Sequence, residues 1–302
     1  MKIVIIDDLG LSKANIKTLE NIGEVIIFDK QASSPDEWFE RCKDSDVICT
    51  GKFGLKSERA YDLENKFISV PFIGTGFLDI RRLKSKNVIV ANSPGCNKNA
   101  VSEWIIGMII NLLREFPKYI NNKDLPKGEI PKDSFGLADQ DITILGKGHI
   151  GSRVGEICEK FGMSVEYFDK GDNLIEKVQN AKVIINTLSL NESTVGLLNK
   201  NFFNSLNKET YFITVTSSKI YDIDAMIEAL DSGILAGVAD DNGSILVGDI
   251  EDPQYLKLAD HSKVLATPHV AYNTENRCLV CNNMMVENVK AWAKEKPINL
   301  VE

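Results

Sequence analysis

Three glycines and one carboxylate carry the first chemistry legible in this chain. In DITILGKGHIGSRVGEICEKFGMSVEYFD, which begins at Asp141, Gly146, Gly148 and Gly151 stand at G-x-G-x-x-G spacing around His149 and Ile150, and Asp169 follows 18 positions after Gly151. At that spacing Gly146 permits a tight turn, Gly148 lets backbone approach a pyrophosphate, and Gly151 lets a helix pack closely on a strand. The acid accepts hydrogen bonds from both ribose hydroxyls and repels a 2′-phosphate. The pattern predicts NAD rather than NADP, and Lys170 weakens that preference without reversing it. These residues need a strand over 142–145, an amphipathic helix running up to Gly162, and a second strand over 165–168. The anion would then meet unpaired N–H groups at the helix start.

Strands alternate with helices on both sides of this stretch. Before it, strands are expected over 2–6, 25–28, 47–49, 67–70 and 88–90, with a helix over 12–21 and another starting at Ser34-Pro35-Asp36-Glu37. The strand over 47–49 opens into Gly51-Lys52-Phe53-Gly54, and residues 74–76 read as a turn. After it, strands are expected over 183–186, 211–215, 235–239 and 264–266, and helices over 201–206 and 223–230. This rhythm means parallel sheets with right-handed crossovers, an α/β protein. The helix expected over 100–116 is apolar on more than one face, as a helix is when it lies between layers or against another subunit. Residues 118–140, polar and punctuated by Pro126 and Pro131, read as a connector. A last helix, over 274–292, follows the second sheet and is free to return to the first domain.

A chain of 302 residues suffices for two domains, each with its own core. Its 43% hydrophobic and 26% charged residues fit a globular protein. A formal net charge of −8 argues against broad binding to nucleic acid or to an anionic membrane. MKIVIIDD meets acids too early for a signal peptide, and no apolar run approaches the ~20 residues of a membrane span. A cytoplasmic protein is expected, with its six cysteines kept as thiols. Cys278 and Cys281 have the spacing of a metal or redox pair, but no second pair stands at ligand distance. Their flanks read as the inside of a helix, so a packed helix face is expected.

Five segments together resemble the D-isomer-specific 2-hydroxyacid dehydrogenases. They are VIVANSPGCNKNAVSEWIIGMIINLLRE, the GKGHIG turn with Asp169, STVGLLNKNFFNSL, DIDAMIEALDSGILAGVADD and VLATPHVAYNTEN, and the similarity covers nearly the whole chain. The resemblance implies two Rossmann-like domains with a cleft at their junction and, commonly, a homodimer. One would be a flavodoxin-like substrate domain, residues 1–97 plus 272–302; the other would be an inserted NAD-binding doubly wound parallel sheet, residues 98–271. It implies reduction of a small 2-keto acid by hydride from the nicotinamide. His269, in TPHVA, takes the place of the family's acid/base histidine, and a lone histidine without that motif would read as a structural one. Thr216 falls at a cofactor-binding position, and Asp241 matches the acid that contacts the nicotinamide amide.

The chain departs from the family at two groups. Ser217 stands where the family's substrate-binding arginine is expected, and a hydroxyl offers one neutral hydrogen bond in place of two charge-assisted ones. The carboxylate that holds the histidine falls near Leu246; Asp249 or Glu251 replaces it only if the loop is rebuilt. The loop after Thr187 is about two residues short of the family pattern. Two readings follow. In one, an oxidoreductase holds its substrate differently, with Lys219 or Lys52 as replacement cation and the backbone of Gly51, Lys52, Phe53 and Gly54 as an anion nest. In that reading Lys219 competes with its plainer role as a solvated lysine. In the other, the chain has lost chemistry and kept NAD binding, as a sensor or scaffold.

Overall fold

Consecutive apolar residues at the start of the chain need cover on both faces, and the strand they form, β1 (Lys2–Ile5), has it. The computed structural model describes residues 1–121 and 134–302. After β1 come α1 (Lys13–Glu20), β2 (Glu24–Ile27), α2 (Pro35–Cys42), β3 (Val47–Cys49), α3 (Lys52–Leu55), a 3-10 turn (Glu58–Asp62), β4 (Lys66–Ser69), α4 (Ile80–Ser85) and β5 (Val88–Ala91). Then follow α5 (Lys98–Leu113), α6 (Phe116–Asn121), β6 (Asp141–Leu145), α7 (His149–Lys160), β7 (Ser164–Phe168), α8 (Leu174–Val178), β8 (Val183–Asn186) and α9 (Lys200–Asn204). The chain continues through β9 (Thr210–Thr214), α10 (Ile223–Asp231), β10 (Leu235–Asp240), α11 (Pro253–Ala259), β11 (Val264–Ala266) and α12 (Arg277–Ala293). Two units result, Met1–Asn97 with Thr274–Glu302, and Lys98–Asn273. Among the described residues no helix is long and apolar enough to cross a membrane.

The first unit holds a parallel five-stranded sheet in the order β2-β1-β3-β4-β5. Its strands divide their side chains with period two. Val4, Ile48, Ile68 and Val90 join Trp38 and Leu83 in one core. Ile3, Ile5, Val47 and Phe67 join Leu19, Met285 and Val289 in the other. The second core exists because α12 returns to pack on α1 and β4, with Trp292 stacked on Phe67 at 4.5 Å. Ser12 and Ser34 cap α1 and α2, each hydroxyl accepting from the backbone N–H three residues on.

The second unit holds a parallel six-stranded sheet in the order β11-β10-β9-β8-β6-β7. Leu145, Ile184, Phe212 and Val238 face one core with α9 and α10. Ile144, Val183, Ile213 and Ala239 face the other, where α5 and α7 pack on each other. In both sheets the chain reverses direction beside the first strand laid down, at β1/β3 and at β6/β8. In open α/β sheets ligands bind at such switch points, beyond the carboxyl ends of the strands.

Residues 52–54 lie in a helical turn, α3, and Gly54 packs under Trp38, where a Cβ would come within 2.0 Å of the indole. The connector expected over 118–140 begins with the end of α6, and Pro126 and Pro131 lie outside the described residues. The last helix starts at Arg277 rather than 274, and Cys278, Leu279 and Val280 are exposed on it rather than packed. Finally, the cysteines are not all thiols. Cys96 and Cys281, 185 residues apart in sequence, form a disulfide with their Cα atoms 5.1 Å apart, within bridging reach.

Candidate active site and cofactor groove

The glycine turn is built as its spacing requires. Gly146, at the end of β6, has φ +97°, a conformation that side-chain-bearing residues avoid, and its N–H donates to the Phe168 carbonyl at 2.9 Å. Gly151 packs so tightly that a Cβ would lie 2.1 Å from the Gly146 carbonyl oxygen. At Gly148 the space is open. It starts α7 without any side-chain cap, which leaves the first N–H groups of a twelve-residue helix for an anion. Beside this turn lies a groove of about 480 Å³, lined by Gly146, Gly148, Asp169, Thr187, Leu188 and Thr194 among others. Asp169, the residue after β7, is among its lining residues, where an acid can meet a ribose. His149 and Ile150 are the first residues of α7, and His149 lines an adjoining hollow of about 420 Å³ with Lys147 and Arg153. Open room at Gly148, an uncapped helix start and a carboxylate at the far strand make these residues fit an adenine dinucleotide.

The histidine stands at the carboxyl edge of the same sheet. His269 follows β11 and holds φ at +56°, a left-handed backbone uncommon outside glycine. Asp241 holds that turn in place. Its Oδ1 accepts from the Thr267 hydroxyl at 2.6 Å and the Val270 N–H at 2.7 Å, and its Oδ2 accepts from the Ala271 N–H at 2.9 Å. At 2% exposure Asp241 is spent on shaping the loop that presents His269. His269 Nδ1 lies 2.9 Å from the Ile245 carbonyl oxygen, and the ring meets Tyr272 edge-on. A carbonyl only accepts, so Nδ1 carries the proton of the neutral ring and Nε2 its lone pair.

No carboxylate holds the ring among the described residues. Leu246 is 77% exposed, Asp249 Oδ1 accepts from the Glu251 N–H, and Glu251 is itself exposed. Where an arginine was expected there is a neutral network. Ser217 Oγ lies 2.7 Å from Ser244 Oγ and accepts from the Lys219 N–H. Asn242 Oδ1 accepts from the Ser218 and Ser244 N–H groups, and the Asn242 amide donates to Gln254. Thr216 is nearly buried, its hydroxyl accepting from the Asn186 amide at 2.8 Å. Lys219 is exposed. Ile245, Asn242, Ser244 and Gln254 were not singled out from the sequence; Asn242-Gly243-Ser244 signals a turn there but no partner for it.

The first unit places Lys52 at its own switch point, after β3. Its ammonium lies 5.1 Å from the Phe72 ring centre. Burial, then repulsion from Lys56 and Arg277, lowers its pKa below the ordinary lysine value. The expected anion nest is partly taken, because the Gly51 N–H donates to Asp7 Oδ2 at 2.8 Å. Phe53 and Gly54 turn toward the core of this unit.

Residues 106–271 match the family described as D-isomer specific 2-hydroxyacid dehydrogenase, NAD binding domain. The chain is 30% identical over 256 residues to the D-3-phosphoglycerate dehydrogenase of Bacillus subtilis, which covers 78% of this chain but only 48% of that relative. It thus spans about half the length of that protein. Among solved structures, an acyclic imino acid reductase in complex with NADPH and D-Arg superposes with a TM-score of 0.83 at 20% identity. The D-lactate dehydrogenase of Lactobacillus jensenii with NAD+ does so with a TM-score of 0.78 at 22% identity, and both likenesses cover 100% of each chain. At these identities the superpositions show the fold: two parallel α/β sheets in a Rossmann-like arrangement.

Proposed function

The chain belongs to the D-isomer-specific 2-hydroxyacid dehydrogenase family, with NAD as the cofactor of its second unit, and from that premise we propose that it is an NAD-dependent oxidoreductase. Its reaction is hydride transfer between NAD(H) and a small 2-hydroxy or 2-keto acid, or a related carbonyl compound. NAD, when bound, supplies or accepts the hydride. His269 handles the proton: as imidazolium it donates from Nε2 to the carbonyl oxygen being reduced, and as neutral imidazole it takes the proton back in the reverse direction. The Ile245 carbonyl fixes the tautomer, and Asp241 fixes the backbone that aims the ring.

The observation that carries this reading over a non-catalytic NAD binder is the oriented imidazole. A scaffold that had abandoned chemistry has no need of a left-handed histidine braced by three hydrogen bonds and tautomer-fixed by a fourth. Within the second unit, substrate binding is proposed to rest on the hydroxyls of Ser217 and Ser244 in place of a guanidinium, with Lys219 as a peripheral cation; Lys52 is proposed separately as a cation at the switch point of the first unit. A homodimer in the cytoplasm, with neither nucleic acid nor membrane as partner, completes the proposal. It rests on the family resemblance, on the multi-sided apolar character of α5 and on the acidic balance of the chain.

The test is a panel of 2-keto acids, aldehydes and ketones offered with NADH. NADH oxidation with at least one 2-keto acid or related carbonyl supports the proposal. Tight NADH binding without turnover of any member would leave the sensor reading.

A further inference from the structure

We propose that Cys278, Cys281 and Cys96 form a thiol–disulfide exchange site, with exposed Cys278 as the entry to the buried Cys96–Cys281 bond. The C-x-x-C spacing at Cys278 has no role in the hydride chemistry, and the fold gives it one. Cys96 and Cys281 are 7% and 5% exposed, so a reductant in solution has little access to their sulfurs. Cys278 is exposed and sits three residues before Cys281, in the first turn of α12. Side chains at that spacing share one helix face, with Cβ atoms about 5–6 Å apart. A disulfide needs roughly 3.5–4.5 Å, so the turn must tighten. Asn276, at the N-cap, makes no side-chain hydrogen bond to hold that turn in its present shape.

In the exchange, the Cys278 thiolate forms a bond to Cys281 Sγ. The Cys281–Cys96 bond breaks, and Cys96 leaves as a thiolate that takes up a proton; no net oxidation occurs. A small dithiol then opens the accessible Cys278–Cys281 bond, being oxidised to its disulfide as two protein thiols form. The position of the bond gives the exchange a consequence. Cys96 stands next to Asn97, where the chain leaves the first unit, and Cys281 follows soon after Thr274, where it returns. The bond therefore ties together the first-unit ends of both connecting segments, and exchange releases one of them. A disulfide in a compartment that keeps thiols reduced belongs to this sensing kind.

The test is the rate at which dithiothreitol reduces the folded protein after oxidation with oxidised glutathione. Samples are quenched with N-ethylmaleimide and the linkages read by peptide mapping. Wild type is expected to show the Cys96–Cys281 linkage together with a Cys278–Cys281 fraction. Cys278→Ser is expected to keep the first linkage, lack the second, and be reduced about tenfold or more slowly, since only the buried sulfurs remain to be attacked. An unchanged thermal midpoint in the oxidised variant guards against unfolding as the cause. Equal reduction rates in wild type and variant, or no Cys96–Cys281 peptide after oxidation, would overturn the proposal.

Discussion

His269 Nδ1 lies 2.9 Å from the carbonyl oxygen of Ile245, so the backbone of the loop after β10 sets the tautomer of the proposed acid/base residue. The side chain one residue on, Leu246, points into solvent at 77% exposure. Restoring an acid at that position therefore places it in water, where screening removes most of its field. Leu246→Glu is expected to leave kcat within about twofold of wild type. A tenfold rise in steady-state kcat would show that the loop can deliver a carboxylate to the ring and that the carbonyl is a poor substitute.

Asp169 is expected to select the cofactor. Removing its carboxylate in Asp169→Ala takes away both ribose hydrogen bonds and the repulsion of a 2′-phosphate. The ratio of NADPH to NADH dissociation constants is expected to fall by about 100-fold or more, the worth of two hydrogen bonds to a charged group. Titration of both cofactors by fluorescence measures it. An unchanged ratio would move the selectivity elsewhere in the groove, with Lys170 the nearest candidate.

Much of the second unit was readable from residue types because local rules decide it. Gly146, Gly148, Gly151 and Asp169 each answer to a backbone or distance requirement within one βαβ segment, and β6, α7 and β7 formed about them to within a residue or two. The caps at Ser12 and Ser34 were legible for the same reason. What surrounds His269 was not, because its partner is a main-chain oxygen whose side chain is irrelevant, supplied 24 residues earlier by an irregular loop. Asp241 could be aligned but not understood, since its work is to bond three groups of a turn that exists only once β10 and β11 lie side by side. The Cys96–Cys281 bond spans 185 residues, and no spacing rule reaches that far.

Asp240 predicts the pH dependence of stability. It is buried at the end of β10, where the Tyr221 hydroxyl donates to its Oδ2 at 2.6 Å, and its Oδ1 has no partner. Burial pushes its carboxyl up from 3.8 to about 7. The folded state therefore holds this proton more firmly than the unfolded chain does. The stabilisation is complete below the unfolded value of 3.8 and is lost as pH rises toward the folded value of about 7. Asp240→Asn, which cannot ionise, is expected to flatten the stability curve across that window by on the order of a few kcal/mol. Urea unfolding at a series of pH values checks this, and parallel wild-type and variant curves would assign the proton to another group.

His269 is proposed to carry the proton chemistry of the hydride transfer. The most direct measurement pairs NADH affinity with turnover of the best panel substrate in His269→Gln. The expected result is an NADH dissociation constant within about twofold of wild type and a kcat lower by about 10²–10⁴, the usual worth of a positioned acid/base group. Equal turnover in variant and wild type would contradict it.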